Sequence, residues 1–106
     1  MASTQPEAKI TAKIIDHLRA LPKAWARKVH QSRYQQGEPD VDACVAGRAV
    51  KIEVKVPGNK PTPKQLITMR RWARSGALVG WATSVEEVED LLGHLDDPEW
   101  ENPQLD

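Results

Sequence analysis

At 106 residues the chain is long enough for one modest core. Apolar residues make up 40% and charged residues 28%, which is ordinary for a soluble globular chain. No apolar run approaches the roughly 20 residues of a membrane-spanning helix. The lone Cys44 excludes an internal disulfide, no Cys/His cluster suggests zinc, and the first six residues are polar with no signal-peptide core. A reduced, cytoplasmic setting is the expectation. The net charge of zero hides an asymmetry: all 15 Lys and Arg lie at or before Arg74, with only six of the 15 acids, so residues 1–74 carry +9 and residues 75–106 carry −9. A basic body of this kind suits a polyanion, although the two halves also neutralise each other on folding.

Residues 6–21 read as the first helix. Ile10, Ile14, Leu18 and Leu21 form its apolar stripe, Thr4 is a candidate N-cap and Pro22 ends it. Glu7 extends the core-facing stripe, and an acid in a first turn is also favoured by the helix dipole. Residues 24–32 read as a strand with Trp25, Arg27 and Val29 on one side and Ala24, Ala26, Lys28 and His30 on the other. His30 either lines an active face or is a structural hydrogen-bonder. Arg33 and Tyr34 sit on a polar loop, where they are candidates for nucleic-acid contact.

Two alternating stretches follow. Asp40, Asp42 and Cys44 share one side of residues 40–45. In residues 49–56, Val50, Ile52, Val54 and Val56 point one way and Lys51, Glu53 and Lys55 the other. They form a hairpin. A turn at Ala46-Gly47 sets Asp40 opposite Glu53; a turn at Gly47-Arg48 sets it opposite Lys55. Both registers keep Asp40, Glu53 and Lys55 on one face. Two carboxylates that close repel unless a cation lies between them, and a hard divalent ion takes such oxygens. A neighbouring Lys then stabilises charge on a phosphate or helps activate a water.

Thr62 caps the next helix, with Pro63 first in it and Gln65 completing a T-x-x-Q box. It runs to about Ser75, with Gly76 after it. Leu66, Met69 and Ala73 are its apolar line, while Lys64, Arg70, Arg71 and Arg74, with Lys60 just before it, are candidates for phosphate contact. Residues 77–82 form a continuous apolar run, as in a buried strand. A last helix begins at Ser84, with Glu87 as box partner, and ends at Gly93. Residues 94–106 are acidic, aperiodic and carry Pro98 and Pro103; they read as an extended or disordered tail, in which Trp100 and Leu105 anchor either to a partner or across the domain.

Pro39-Asp40 followed by Glu53-Val54-Lys55 resembles the PD-(D/E)XK nuclease signature. Gly37-Glu38-Pro39-Asp40, Glu53-Val54-Lys55-Val56-Pro57-Gly58 and Gln65 together resemble its virus-type replication-repair nuclease (VRR-NUC) branch in the short stand-alone form, over roughly residues 5–92. The element order α-β-β-β-α-β-α matches the αβββαβ core that this resemblance implies, an α/β fold with a mixed four-stranded sheet flanked by helices. Residues 1–93 are then the nuclease domain and residues 94–106 a tail. The resemblance also implies Mg²⁺ or Mn²⁺ held by Asp40, Glu53 and the Val54 carbonyl. Lys55 is implied as the activating cation, with Gln65 and Glu7 in support. It further implies a homodimer that cuts branched DNA such as four-way junctions. The competing readings are a non-catalytic nucleic-acid-binding module, a duplex-specific restriction-type nuclease, and an interaction protein working through its acidic tail.

Overall fold

A computed structural model describes residues 6–30 and 37–106. Thr4, Arg33 and Tyr34 lie outside the described residues. The elements are α1 (Glu7–Arg19), β1 (Ala24–Lys28), β2 (Val41–Val45), β3 (Arg48–Val54), α2 (Pro63–Arg74), β4 (Leu78–Ala82), α3 (Val85–Leu92) and a 3-10 turn at Pro103–Leu105. The strands form one sheet in the order β1-β2-β3-β4. The β1/β2 and β2/β3 pairs are antiparallel and β3/β4 is parallel, α2 making the crossover. The mixed sheet with flanking helices is the expected one.

The hairpin turn is Ala46-Gly47, because Val45 pairs with Arg48 and Val41 with Ile52. Both turn residues have positive φ, 50° for Ala46 and 86° for Gly47, the type I′ geometry that matches strand twist. Of the two registers open in the sequence, this is the one that sets Asp40 opposite Glu53.

Alternation along the strands makes two different faces. Val41, Ala43 and Val45 join Val50, Ile52 and Val54, with Leu78 and Ala82, in the main core. Ile10, Ile14 and Leu18 of α1 and Val88 and Leu91 of α3 close over them. On the opposite face α2 covers part of the sheet, packing Met69 against Val79 and Leu105 with Trp72 and Trp81 at the margin. Asp42, Lys51, Glu53 and Lys55 rise from the same face beside it.

Side chains reach both sheet edges. Arg19 Nε donates to the outward Ala26 carbonyl of β1 at 2.8 Å. On β4, the Gln104 amide donates to the Trp81 carbonyl (3.1 Å) and accepts from its N–H (3.1 Å), as a fifth strand would. Asn102 Nδ2 donates to the Val79 carbonyl at 2.8 Å. A Cβ on Gly80 would stand 3.0 Å from both amides, so a larger residue would press on this contact. Residues 94–106 therefore pack onto the domain, in contrast to the disordered tail read from the sequence. Leu105 is buried, Trp100 packs against the main core, and its ring stacks on His94 at 3.6 Å. Both anchors act across the domain. The physical reason is that the contact is made by two amides and a few apolar side chains, with no periodic stripe to announce it.

The helix ends follow the sequence with two changes. Thr62 and Gln65 form the full capping box of α2. Ser84 caps Glu87, but the Glu87 carboxylate turns to the Thr83 N–H instead of closing a box. Pro6, without a side-chain bond, occupies the N-cap of α1. No described helix is long and apolar enough to cross a membrane.

Candidate active site

Asp40 ends the approach to β2 and is held at two points. Its carbonyl accepts from Val29 N–H of the β1 side at 2.8 Å, and its Oδ2 accepts from Val54 N–H at 2.8 Å. The second bond falls where the β2/β3 ladder ends. Continued by one pair, the register carries Pro39 opposite Val54. Lys55 N–H bonds Ala82 of β4, so Val54 turns its own N–H and C=O toward β2. Proline has no N–H to donate to that carbonyl. The Pro-Asp pair thus does two things: Asp40 takes the Val54 N–H, and Pro39 leaves the Val54 carbonyl without its ladder donor.

Glu53 lies beside Asp40 and is 2% exposed. Its Oε2 is 3.5 Å from Lys55 Nζ, while Oε1 is buried with no hydrogen-bond partner among the described residues. Burial, then the charge of Asp40, pushes the Glu53 carboxyl up to about 8, against a smaller pull downward from Lys55. An orphaned buried carboxylate oxygen is costly and calls for a partner. The oxygens at hand are the Asp40 and Glu53 carboxylates and the Val54 carbonyl, the hard donors that Mg²⁺ or Mn²⁺ takes. The site fits a divalent ion. When bound, such an ion supplies Lewis-acid polarisation of a phosphoryl oxygen.

Other predicted site residues stand apart. Glu7 is exposed in the first turn of α1, and among the described residues no three acids, His or Cys form one metal-holding group, so Glu7 does not complete a triad with Asp40 and Glu53. Gln65 Oε1 accepts from Thr62 N–H at 2.9 Å, a capping bond that occupies the amide oxygen. His30 is exposed past the end of β1, and alternation puts it on the side of Ala26, away from Glu53. Lys60 is exposed in the loop before α2. The α2 cations divide. Lys64 and Arg71, seven apart, line a cleft with β1 and β2. Arg70 and Arg74 face the C-terminal segment, where Arg70 Nε donates to the Leu105 carbonyl.

A half-buried polar network next to the pair carries no mark in the sequence beyond strand alternation. Lys51, with its side chain 12% exposed, bonds Asp42 at 2.7 Å and sits 3.9 Å over the Trp72 ring. Trp72 Nε1 donates to Glu38, immediately before Pro39-Asp40, at 3.0 Å. Burial works to raise the Asp42 carboxyl, but Lys51 and then Arg27 outweigh it and hold it below its ordinary value.

Two solved structures share this architecture. A chain described as "VRR_NUC domain" is 28% identical, with a TM-score of 0.69, over 83% of this chain and 95% of that one. The chain has the fold of a VRR-NUC domain. A second, described as "VRR_NUC domain protein", is 16% identical with a TM-score of 0.68 over 87% of this chain and 88% of that one, a likeness of fold. No protein-family model and no curated protein matches the chain. The VRR-NUC likeness and the Asp40–Glu53–Lys55 cluster come from separate observations and agree on a nuclease-family fold.

Proposed function

We propose that this VRR-NUC domain is a Mg²⁺- or Mn²⁺-dependent endodeoxyribonuclease that hydrolyses phosphodiester bonds in branched DNA, four-way junctions being the leading substrate. The observation that carries the reading is the buried Glu53 Oε1, unpartnered beside Asp40 and flanked by Lys55. Asp40, Glu53 and the Val54 carbonyl hold the ion. Lys55, half-buried on the same face, keeps a positive charge against the phosphate as negative charge builds on it in the transition state, and helps draw the attacking water. Asp40 is fixed by two hydrogen bonds before substrate arrives, so little reorganisation is needed at the moment of reaction. A homodimer presenting two such sites suits cuts in opposed strands, and the cytoplasm of a bacterial or phage-infected cell is the matching setting.

The test is cleavage of a labelled four-way junction, a plain duplex and a single strand in Mg²⁺, Mn²⁺ or EDTA, beside Asp40→Asn and Lys55→Ala. Paired, metal-dependent cuts in the junction, lost in both variants, are expected. Cutting of every substrate alike removes the branched-DNA preference. Folded protein that binds DNA and cuts nothing in any metal overturns the enzyme and leaves a binding module.

A further inference from the structure

The two long sides of α2 differ in charge and in what already occupies them. On the β4 side a cleft holds Arg48, Arg70 and Arg74 against Glu99, Glu101 and Asp106, three cations against three acids. Two of those cations are also engaged: Arg48 donates to the carbonyls of His94 (3.1 Å) and Leu95 (2.7 Å) after α3, and Arg70 to that of Leu105. On the β1–β2 side a cleft of ≈ 670 Å³ holds Arg27, Lys51, Lys64 and Arg71 against Glu38 and Asp42. Lys51 is spent on Asp42 and the Trp72 ring. Arg27 touches Asp42 only at 3.4 Å and leaves 69% of its side chain exposed. Lys64 and Arg71 are exposed and have no partner among the described residues.

We infer that the sugar-phosphate backbone of a nucleic acid lies in the cleft between α2 and β1–β2, held by Lys64 and Arg71 with Arg27 opposite, and that the acidic C-terminal segment closes the β4 side of α2 to it. The inference takes its ligand class from the nuclease reading. Asp42 and Lys51 are each two residues along their strands from Asp40 and Glu53, so the cleft opens roughly 7 Å from the carboxylate pair on the same sheet face. A strand leaving the pair therefore meets a net positive charge over β1–β2, and across β4 three cations already matched by three acids. Lys64 and Arg71 lie on one line of α2 two turns apart, and unpaired cations in such a row bind phosphates without reading bases.

The experiment is fluorescence anisotropy of the full chain with a labelled four-way junction and a labelled duplex, in EDTA, across a salt series. The Lys64→Ala/Arg71→Ala protein is compared with Arg74→Ala, each checked for an unchanged melting temperature. The expected result is a loss of about ten-fold or more in affinity for the double variant, with the slope of log K against log salt reduced by about 2. Arg74→Ala stays within about two-fold of wild type, and Lys64→Arg/Arg71→Lys restores binding. Equal losses on the two sides of α2, or none on either, overturn the inference, as does a wild type that binds neither DNA. Loss confined to the double variant in a protein that cleaves nothing keeps the cleft and sinks the nuclease reading alone.

Discussion

The same four strands present two unlike surfaces. Toward α1 and α3 the inward side chains of β2, β3 and β4 are apolar and closed from water, apart from Arg48 at the hairpin end of β3; Val41, Val50, Ile52 and Val54 are all 0% exposed. Toward α2 the alternate residues include Asp42, Lys51, Glu53 and Lys55, three of whose side chains are also 13% exposed or less. Burial alone does not separate the two faces. On one, nothing asks for a partner. On the other, each charge is answered by a named neighbour until Glu53 Oε1, where the answers run out. That deficit marks the place where the fold has given up stability and points to a ligand.

Substitutions on the two faces should therefore fail in opposite ways. The largest expected effect is on chemistry: Glu53→Gln keeps the shape, and should lower cleavage by roughly two to three orders of magnitude, because several kcal/mol of metal-derived stabilisation are lost. Single-turnover rates and Mn²⁺ calorimetry read it directly. Its counterpart is Ile52→Ala, one residue away on the other face, which should cost about 2–5 kcal/mol in a urea titration. Cleavage per folded molecule should hold for this variant. A drop in both quantities for either protein would mean that the two faces are not separable.

The next effect is on pH. The folded, metal-free protein keeps a proton on Glu53 up to about pH 8, whereas an unfolded chain releases it near the ordinary value of 4.5. The folded state thus binds more protons between these values. Stability from this group is complete below the lower one and is lost as pH rises through the upper. In EDTA the melting temperature of wild type should fall from pH 5 to pH 8 relative to Glu53→Gln, with the variant ahead by about 5 °C or more at pH 8. A saturating divalent ion should cancel the gap in favour of wild type. Parallel pH profiles without metal would show that Glu53 is ionised in the apo protein.

Smaller effects sharpen the boundary of the site. Trp72→Phe retains the ring under Lys51 but removes the donor to Glu38, and should cost about 1–2 kcal/mol. If Glu38 helps set Pro39-Asp40, cleavage falls beyond what stability explains. Gln65→Ala should cost roughly 0.5–1 kcal/mol as a lost capping partner, with cleavage unchanged. A large kinetic loss there would bring Gln65 back into the chemistry.

What the sequence made legible was local. Alternation in residues 49–56, the T-x-x-Q box and the apolar run of residues 77–82 each express one element's own physics, and each held. The hairpin register stayed open because it turns on Ala46 accepting positive φ, a choice the favoured turn residues do not suggest. The Asp40–Glu53 carboxylate pair was legible as a motif, but the isolation of Glu7 and the division of the α2 cations were not. Those depend on which layer α1 joins and on where residues 94–106 return. One signal for that return was present: Gly80 interrupts an otherwise apolar strand, and a glycine there often marks the close approach of other groups.

That late return has a consequence for how the molecule is made. β4 ends at Ala82, and the amides that satisfy its outer edge are Asn102 and Gln104. A growing chain completes the strand before the residues that cover it have been added. In a chain that has formed its sheet before residues 102–104 dock, the free C=O groups of Val79 and Trp81 and the Trp81 N–H offer a template to any neighbouring strand. Replacing Asn102 and Gln104 together by Ala should then raise aggregation on refolding from urea, read by light scattering, a hazard that the finished fold conceals.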